Sequence, residues 1–142
     1  MVWQKLAQSK KTITGTKKVR REISFRAWDK VNKRMIPLCF IDNMTEEIEL
    51  PDRSRIAFKY VEYMEFTSFR DKAGNQIHEE DIVKTPNTIW KVLFRGGAFI
   101  VESIEKNGVK SFKSLPLVAF DEVCKIIGNV HENPELLKGL GL

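Results

Sequence analysis

The densest group of side chains able to do chemistry is Glu79-Glu80-Asp81. Carboxylates of this kind supply divalent-metal sites and general bases. Three in a row do not converge, however, because successive side chains on a strand point to opposite faces. The expectation is a turn and a strand entry, with Asp81 accepting backbone hydrogen bonds. His78 and His131 are the chain's two histidines. Either could move a proton near neutral pH. Neither has a nucleophile in a motif beside it, so both are expected at the surface or at a cap.

Two further groups suggest binding rather than catalysis. Arg26, Trp28, Trp90, Lys91 and Arg95 could form a basic, aromatic face for nucleic acid, or the tryptophans could fill the core with the cations at its rim. The second reading is favoured, because nothing in the spacing brings the two segments together. The first 21 residues hold seven basic side chains and no acid. Of these, Lys10, Lys11, Lys17, Lys18, Arg20 and Arg21 are the candidate phosphate contacts, with an affinity that would fall steeply with salt. The whole chain has a net charge of +5, from 24 basic and 19 acidic groups. The other 121 residues therefore carry 17 basic against 19 acidic groups, or −2, so the positive excess lies entirely in the leader.

Several function classes find no support. There is no P-loop, dinucleotide glycine spacing, nucleophile elbow or His-Glu-x-x-His. No Cys/His spacing suggests zinc, and Cys39 and Cys124 read as buried, reduced core residues. No cofactor, metal or catalytic residue is expected. No apolar run is long enough for a signal peptide or a membrane span, which makes a soluble, intracellular protein the expectation.

The elements that must position these groups are mostly strands. Residues 1–20 read as a flexible basic leader. From Arg21 the pattern has period two, with Ile23, Phe25 and Ala27 on the buried side. Met35–Phe40 is a second strand in which Pro37 suits an edge or a bulge. Residues 42–54 read as loop around a short strand at Ile48–Leu50. Residues 56–66 are apolar and aromatic and are assigned to strands. Tyr60, Tyr63 and Phe66 there are the candidates for an exposed self-association patch.

After a turn at 71–75 come strands at 81–84, 88–95 and 98–105. Gly96-Gly97 suits a type I′ hairpin, which needs positive φ at both positions. Asn107-Gly108 predicts another hairpin leading to 109–112. One helical turn is expected at 117–122 and a last strand at 123–130, with Gly128 marking a bulge or a close backbone approach. Asn133-Pro134 looks like the N-cap and first residue of a short helix ended by Gly139. The predicted class is mainly β with minor α. N-terminal strands (21–66) are expected to lead into a small antiparallel SH3-like barrel (67–130), followed by a C-terminal helix and tail (131–142).

Three blocks carry a family resemblance: Arg21-Glu22-Ile23-Ser24-Phe25-Arg26-Ala27-Trp28-Asp29, the stretch from Phe66 to Val83, and Ile127-Gly128-Asn129-Val130-His131-Glu132-Asn133-Pro134-Glu135-Leu136-Leu137. In this order and spacing they resemble the YopX family of phage and prophage proteins. The resemblance implies a mostly β fold, a phage or prophage origin and self-association. It carries over no catalytic residue. Residues 1–20 look like an extension to the family pattern. Ser68 and Glu80 stand where the family tends to glycine, so those two turns are expected to differ in backbone angle.

The function expected from all this is a non-enzymatic accessory protein in the cytoplasm of the bacterial host. It would bind itself or a host or phage protein and would not bind membranes. Non-specific DNA or RNA binding through the leader and the barrel rim is the alternative.

Overall fold

The computed structural model describes residues 21–104 and 114–138. Two antiparallel sheets account for most of it. The first has the order β4-β3-β2-β1-β5-β6, from β1 (Phe25–Asp29), β2 (Arg34–Asp42), β3 (Glu47–Glu49), β4 (Arg55–Ala57), β5 (Val61–Arg70) and β6 (Gln76–His78). The second has the order β10-β9-β8-β7-β11, from β7 (Asp81–Thr85), β8 (Thr88–Arg95), β9 (Ala98–Ile104), β10 (Ser114–Pro116) and β11 (Lys125–Asn129). Single 3-10 turns sit at Phe58–Tyr60 and Leu117–Phe120, and a short helix α1 spans Glu135–Lys138. Among the described residues no helix is long and apolar enough to cross a membrane.

The mainly β class is as expected, but the barrel is not closed. The short strand at 76–78 is not part of the second sheet. It hydrogen-bonds β5, with Phe66 opposite His78 and Arg70 opposite Gln76, and so joins the first sheet. The second sheet stays open, with β10 and β11 as its edges. The expected break between 66 and 67 also falls inside one continuous strand, β5.

Local turn chemistry explains the connections. Gly96 and Gly97 take φ of 62° and 79° between β8 and β9, the two positive values a type I′ turn requires. Pro37 lies in the irregular stretch of β2 where the β1–β2 register shifts, and β3 pairs only with Phe40–Asp42. No ladder bond is lost by its missing N–H there. Gly128 sits at the register shift between β11 and β7. Ser68 and Glu80 do not depart from a glycine-like backbone. Their φ values are 73° and 67°, so non-glycine residues hold the left-handed conformation. Such residues store roughly 1–3 kcal/mol of strain each, held by the surrounding pairing.

The core has three parts. Ala27, Ile36, Cys39, Ile48, Leu50 and Val61 fill one face of the first sheet. Ile77, Val83, Trp90, Val92, Val101, Leu117 and Cys124 form the second cluster, with Phe69 and Ile77 reaching it from the first sheet. Ile82 and Ile104 form the third, packed against Leu136 and Leu137 of α1. Ile82 and Val83 are neighbours in β7 yet belong to different clusters, so this strand is buried on both faces. Cys39 and Cys124 are free and buried, as expected. Ile23 is exposed, because pairing of β1 begins only at Phe25. The 107–112 hairpin and the Gly139 helix end lie outside the described residues.

Candidate functional site

The three sequence blocks meet in space at one end of the junction between the sheets. β1 and β5 place Trp28 directly opposite Glu62. Cross-strand partners share a face, so the indole and this carboxylate stand side by side. The chain leaving β11 brings His131 onto the same spot. Its ring stacks on Trp28 with centroids 5.5 Å apart and an interplanar angle of 16°. Its Nε2 contacts the Glu80 carboxylate and lies 3.3 Å from Glu62 Oε2.

Backbone bonds fix this placement. Glu80 donates its N–H to Val92 O at 2.8 Å and accepts the Val130 N–H at 3.0 Å. Asn129 Oδ1 accepts the N–H groups of His131 and Glu132 at 3.0 and 2.8 Å. Asn133 does not cap α1 with its side chain. Its Oδ1 turns back to accept the Asn129 N–H at 3.2 Å. Gly128 makes this possible, since a Cβ there would come within 2.5 Å of Asn133 Oδ1.

Two residues before Trp28 on β1, Arg26 forms a buried ion pair with Asp81. Arg26 Nη2 donates to Asp81 Oδ1 at 2.8 Å and to Glu79 O at 3.2 Å, while Asp81 Oδ2 accepts the His78 N–H at 2.8 Å. Burial outweighs the Arg26 charge and pushes the Asp81 carboxyl up to about 6. Burial, helped by the Arg26 charge, pushes His78 down to about 4, which keeps the ring neutral at physiological pH. His78 Nδ1 and Arg26 Nε are buried without a hydrogen-bond partner among the described residues. His78 is therefore a core residue, packed against Phe66, and not the surface or capping residue expected.

The carboxylates of 79–81 do not converge. Glu79 Oε1 accepts the Glu65 N–H at 2.9 Å, Glu80 faces His131, and Asp81 holds Arg26. The basic aromatic face does not assemble either. Trp90 is buried against Phe120 and donates its Nε1–H to Thr85, Arg26 is consumed by Asp81, and Arg95 pairs with Glu102. Of the leader candidates, Lys10, Lys11, Lys17, Lys18 and Arg20 lie outside the described residues. Arg21 pairs with Glu65 and lies 5.8 Å above the Phe99 ring.

The self-association candidates divide. Tyr60 and Tyr63 are 45% and 43% exposed, whereas Phe66 is 1% exposed and belongs to the core. Val61, Met64, Phe66 and Thr67 of β5 are all buried, and Phe66 lies on the face it shares with Met64, opposite that of Tyr63. Tyr63 packs edge-on against Phe25 at 6.0 Å and against Phe58 at 5.2 Å, and Lys59 lies 5.0 Å over Tyr60.

Sequence reasoning missed Glu62, which carries no local motif and is placed only by the β1–β5 register. It also missed two structural aspartates. Asp29 accepts the N–H groups of Val31 and Asn32, the Asn32 amide and Arg34 Nε. The Asp29-x-x-Asn32 spacing is the signal that could have found it, because Asp bonds its own turn backbone. Asp71 plays the same part at the turn between β5 and β6. Burial pushes its carboxyl up, but the N–H groups of Asn75 and Ile126 and the Asn75 side chain prevail and hold it below its ordinary value.

Comparison with known proteins shows a family and a similar fold. No curated protein matches the chain. The crystal structure of protein EF1440 from Enterococcus faecalis is similar, with a TM-score of 0.57 and 25% identity, over 83% of this chain and 99% of that one. A family model described as YopX protein matches residues 24–138, a span that contains Arg26, Trp28, Glu80, Asp81 and His131. The chain belongs to the YopX family.

Proposed function

We propose that this protein is a non-enzymatic accessory protein of a phage or prophage, a binding or assembly module that works in the host cytoplasm through protein contacts. Its first partner is a second copy of itself. The observation that carries the reading is the ring cluster of Tyr63 with Phe25 and Phe58, flanked by Tyr60, at the surface of the first sheet. Tyrosine offers a large rigid contact area with a polar end that tolerates water in the free state. A self-complementary patch of this kind suits a two-fold contact.

The neighbouring sheet edge is guarded. Arg55 on β4 spans Asp42, Glu47 and Glu49 with its guanidinium. A charged edge resists addition of another strand, which favours association through the rings. Light scattering tests the reading. Dimers or larger species that fall apart when Tyr60 and Tyr63 are both changed to Ser are expected. A monomer at every accessible concentration overturns it.

A second reading, binding of DNA or RNA, rests on the seven cations of residues 1–21. It predicts a gel shift at low salt that disappears on removal of residues 1–20. No shift by the full chain dismisses it.

A further inference from the structure

We propose that His131, Glu80 and Glu62 bind one divalent transition-metal ion of the zinc type. The site goes beyond the protein-contact reading and stands or falls independently of it. Its three side chains come from separate parts of the fold: β5, the turn between β6 and β7, and the segment after β11. Their donor atoms all lie within 4.8 Å of one another. His131 Nε2 and Glu62 Oε2 are 3.3 Å apart, which is about the separation of two ligands on a tetrahedral ion with bonds of roughly 2.0–2.1 Å.

Within the protein, hydrogen bonding serves only part of this group, and solvent reaches the rest. A neutral imidazole with its proton on Nε2 has one hydrogen there, and two carboxylates face that atom. One hydrogen satisfies one of them well. A dication accepts the imidazole lone pair and neutralises both carboxylates together. The ring is held ready for this. Trp28 stacks on its face, the His131 main chain is tied to Asn129, and the Glu80 main chain is bonded on both sides.

The donor set points to the metal class. One imidazole nitrogen with two carboxylate oxygens suits zinc and its neighbours, whereas magnesium and calcium prefer oxygen alone. The Glu62 side chain is half exposed and Glu80 a third exposed, so an ion enters from solvent and keeps a coordination position for water. Competing soft donors are out of reach. The chain's other histidine, His78, and both cysteines are buried.

The test is calorimetric titration of the chelator-stripped full-length protein with Zn2+, and separately with Mg2+, for wild type, His131→Gln and Glu62→Gln. Removing an outer-shell partner of a metal typically weakens binding by 10–100-fold, and removing a ligand exceeds that. The expected result is one Zn2+ per chain and much weaker Mg2+ binding. Affinity for Zn2+ should fall about 100-fold or more in His131→Gln and at least about tenfold in Glu62→Gln. Added Zn2+ should raise the melting temperature of the wild type and not of His131→Gln. Should His131→Gln fail to fold, the surface variant Glu62→Gln decides. No Zn2+ binding by the wild type at millimolar metal, or equal binding by wild type and Glu62→Gln, overturns the site.

Discussion

Arg26 on β1 and Asp81 at the start of β7 form a 2.8 Å ion pair that joins the two sheets. Both side chains are largely buried, and they come from the first and second family blocks. Removing one partner leaves the other charge buried alone, which costs roughly 3–5 kcal/mol, whereas replacing both with apolar side chains of similar size costs far less. Arg26→Met and Asp81→Leu should each destabilise the protein by about that amount, and the double variant should recover most of the loss. Urea denaturation of the four proteins checks this. Additive losses would show that the two residues act separately.

Asp29 organises the turn after β1. The Asn32 N–H, then the Asn32 side chain, Arg34 and the Val31 N–H, hold its carboxyl down from 3.8 to about 2. A folded-state value below the unfolded one stabilises the protein above the unfolded value and loses that contribution as pH falls through the folded value. Wild-type stability should therefore decline from about pH 4 toward pH 2 more steeply than that of Asp29→Asn. At neutral pH the variant should lose about 1–3 kcal/mol. Denaturation midpoints measured across that range give both quantities, and parallel acid profiles would refute the assignment.

Gly128 admits the Asn133 side chain. A Cβ at 128 would meet Asn133 Oδ1 at 2.5 Å, Cγ at 2.8 Å and Cβ at 3.0 Å, so rotation of the amide alone does not relieve it. Gly128→Ala should cost about 1–3 kcal/mol by overpacking. The same shift frees the Asn129 N–H and loosens the chain carrying His131. Hydrogen exchange at Asn129 and His131 should quicken in the variant, and unchanged exchange with unchanged stability would count against the packing account.

Local signals read well wherever local chemistry decides. Gly96-Gly97, Pro37 and Gly128 were placed from their own backbone requirements, and β7, β8 and β9 from period and turn residues. What escaped was pairing at a distance. The stretch 76–78 reads as barrel from its neighbours, yet it bonds β5, and nothing near it in the chain records that choice. Phe66 and Tyr63 look alike by residue type, but their spacing of three sets them on opposite faces of β5, where one is buried and the other exposed. The junction group was half legible. His131, Glu80 and Asp81 stood out by type, while Glu62 and the Trp28 stack required the β1–β5 register. Ser68 and Glu80 show that tertiary pairing can hold a glycine-like angle against the preference of the residue.

The proposed self-association through the exposed rings on the first sheet has a direct test. Sedimentation equilibrium of the full-length protein, beside the Tyr60→Ser/Tyr63→Ser double variant, tests it most directly. The wild type is expected to form a reversible oligomer and the variant a folded monomer. A wild type that is monomeric throughout, or a variant that associates just as tightly, would contradict it.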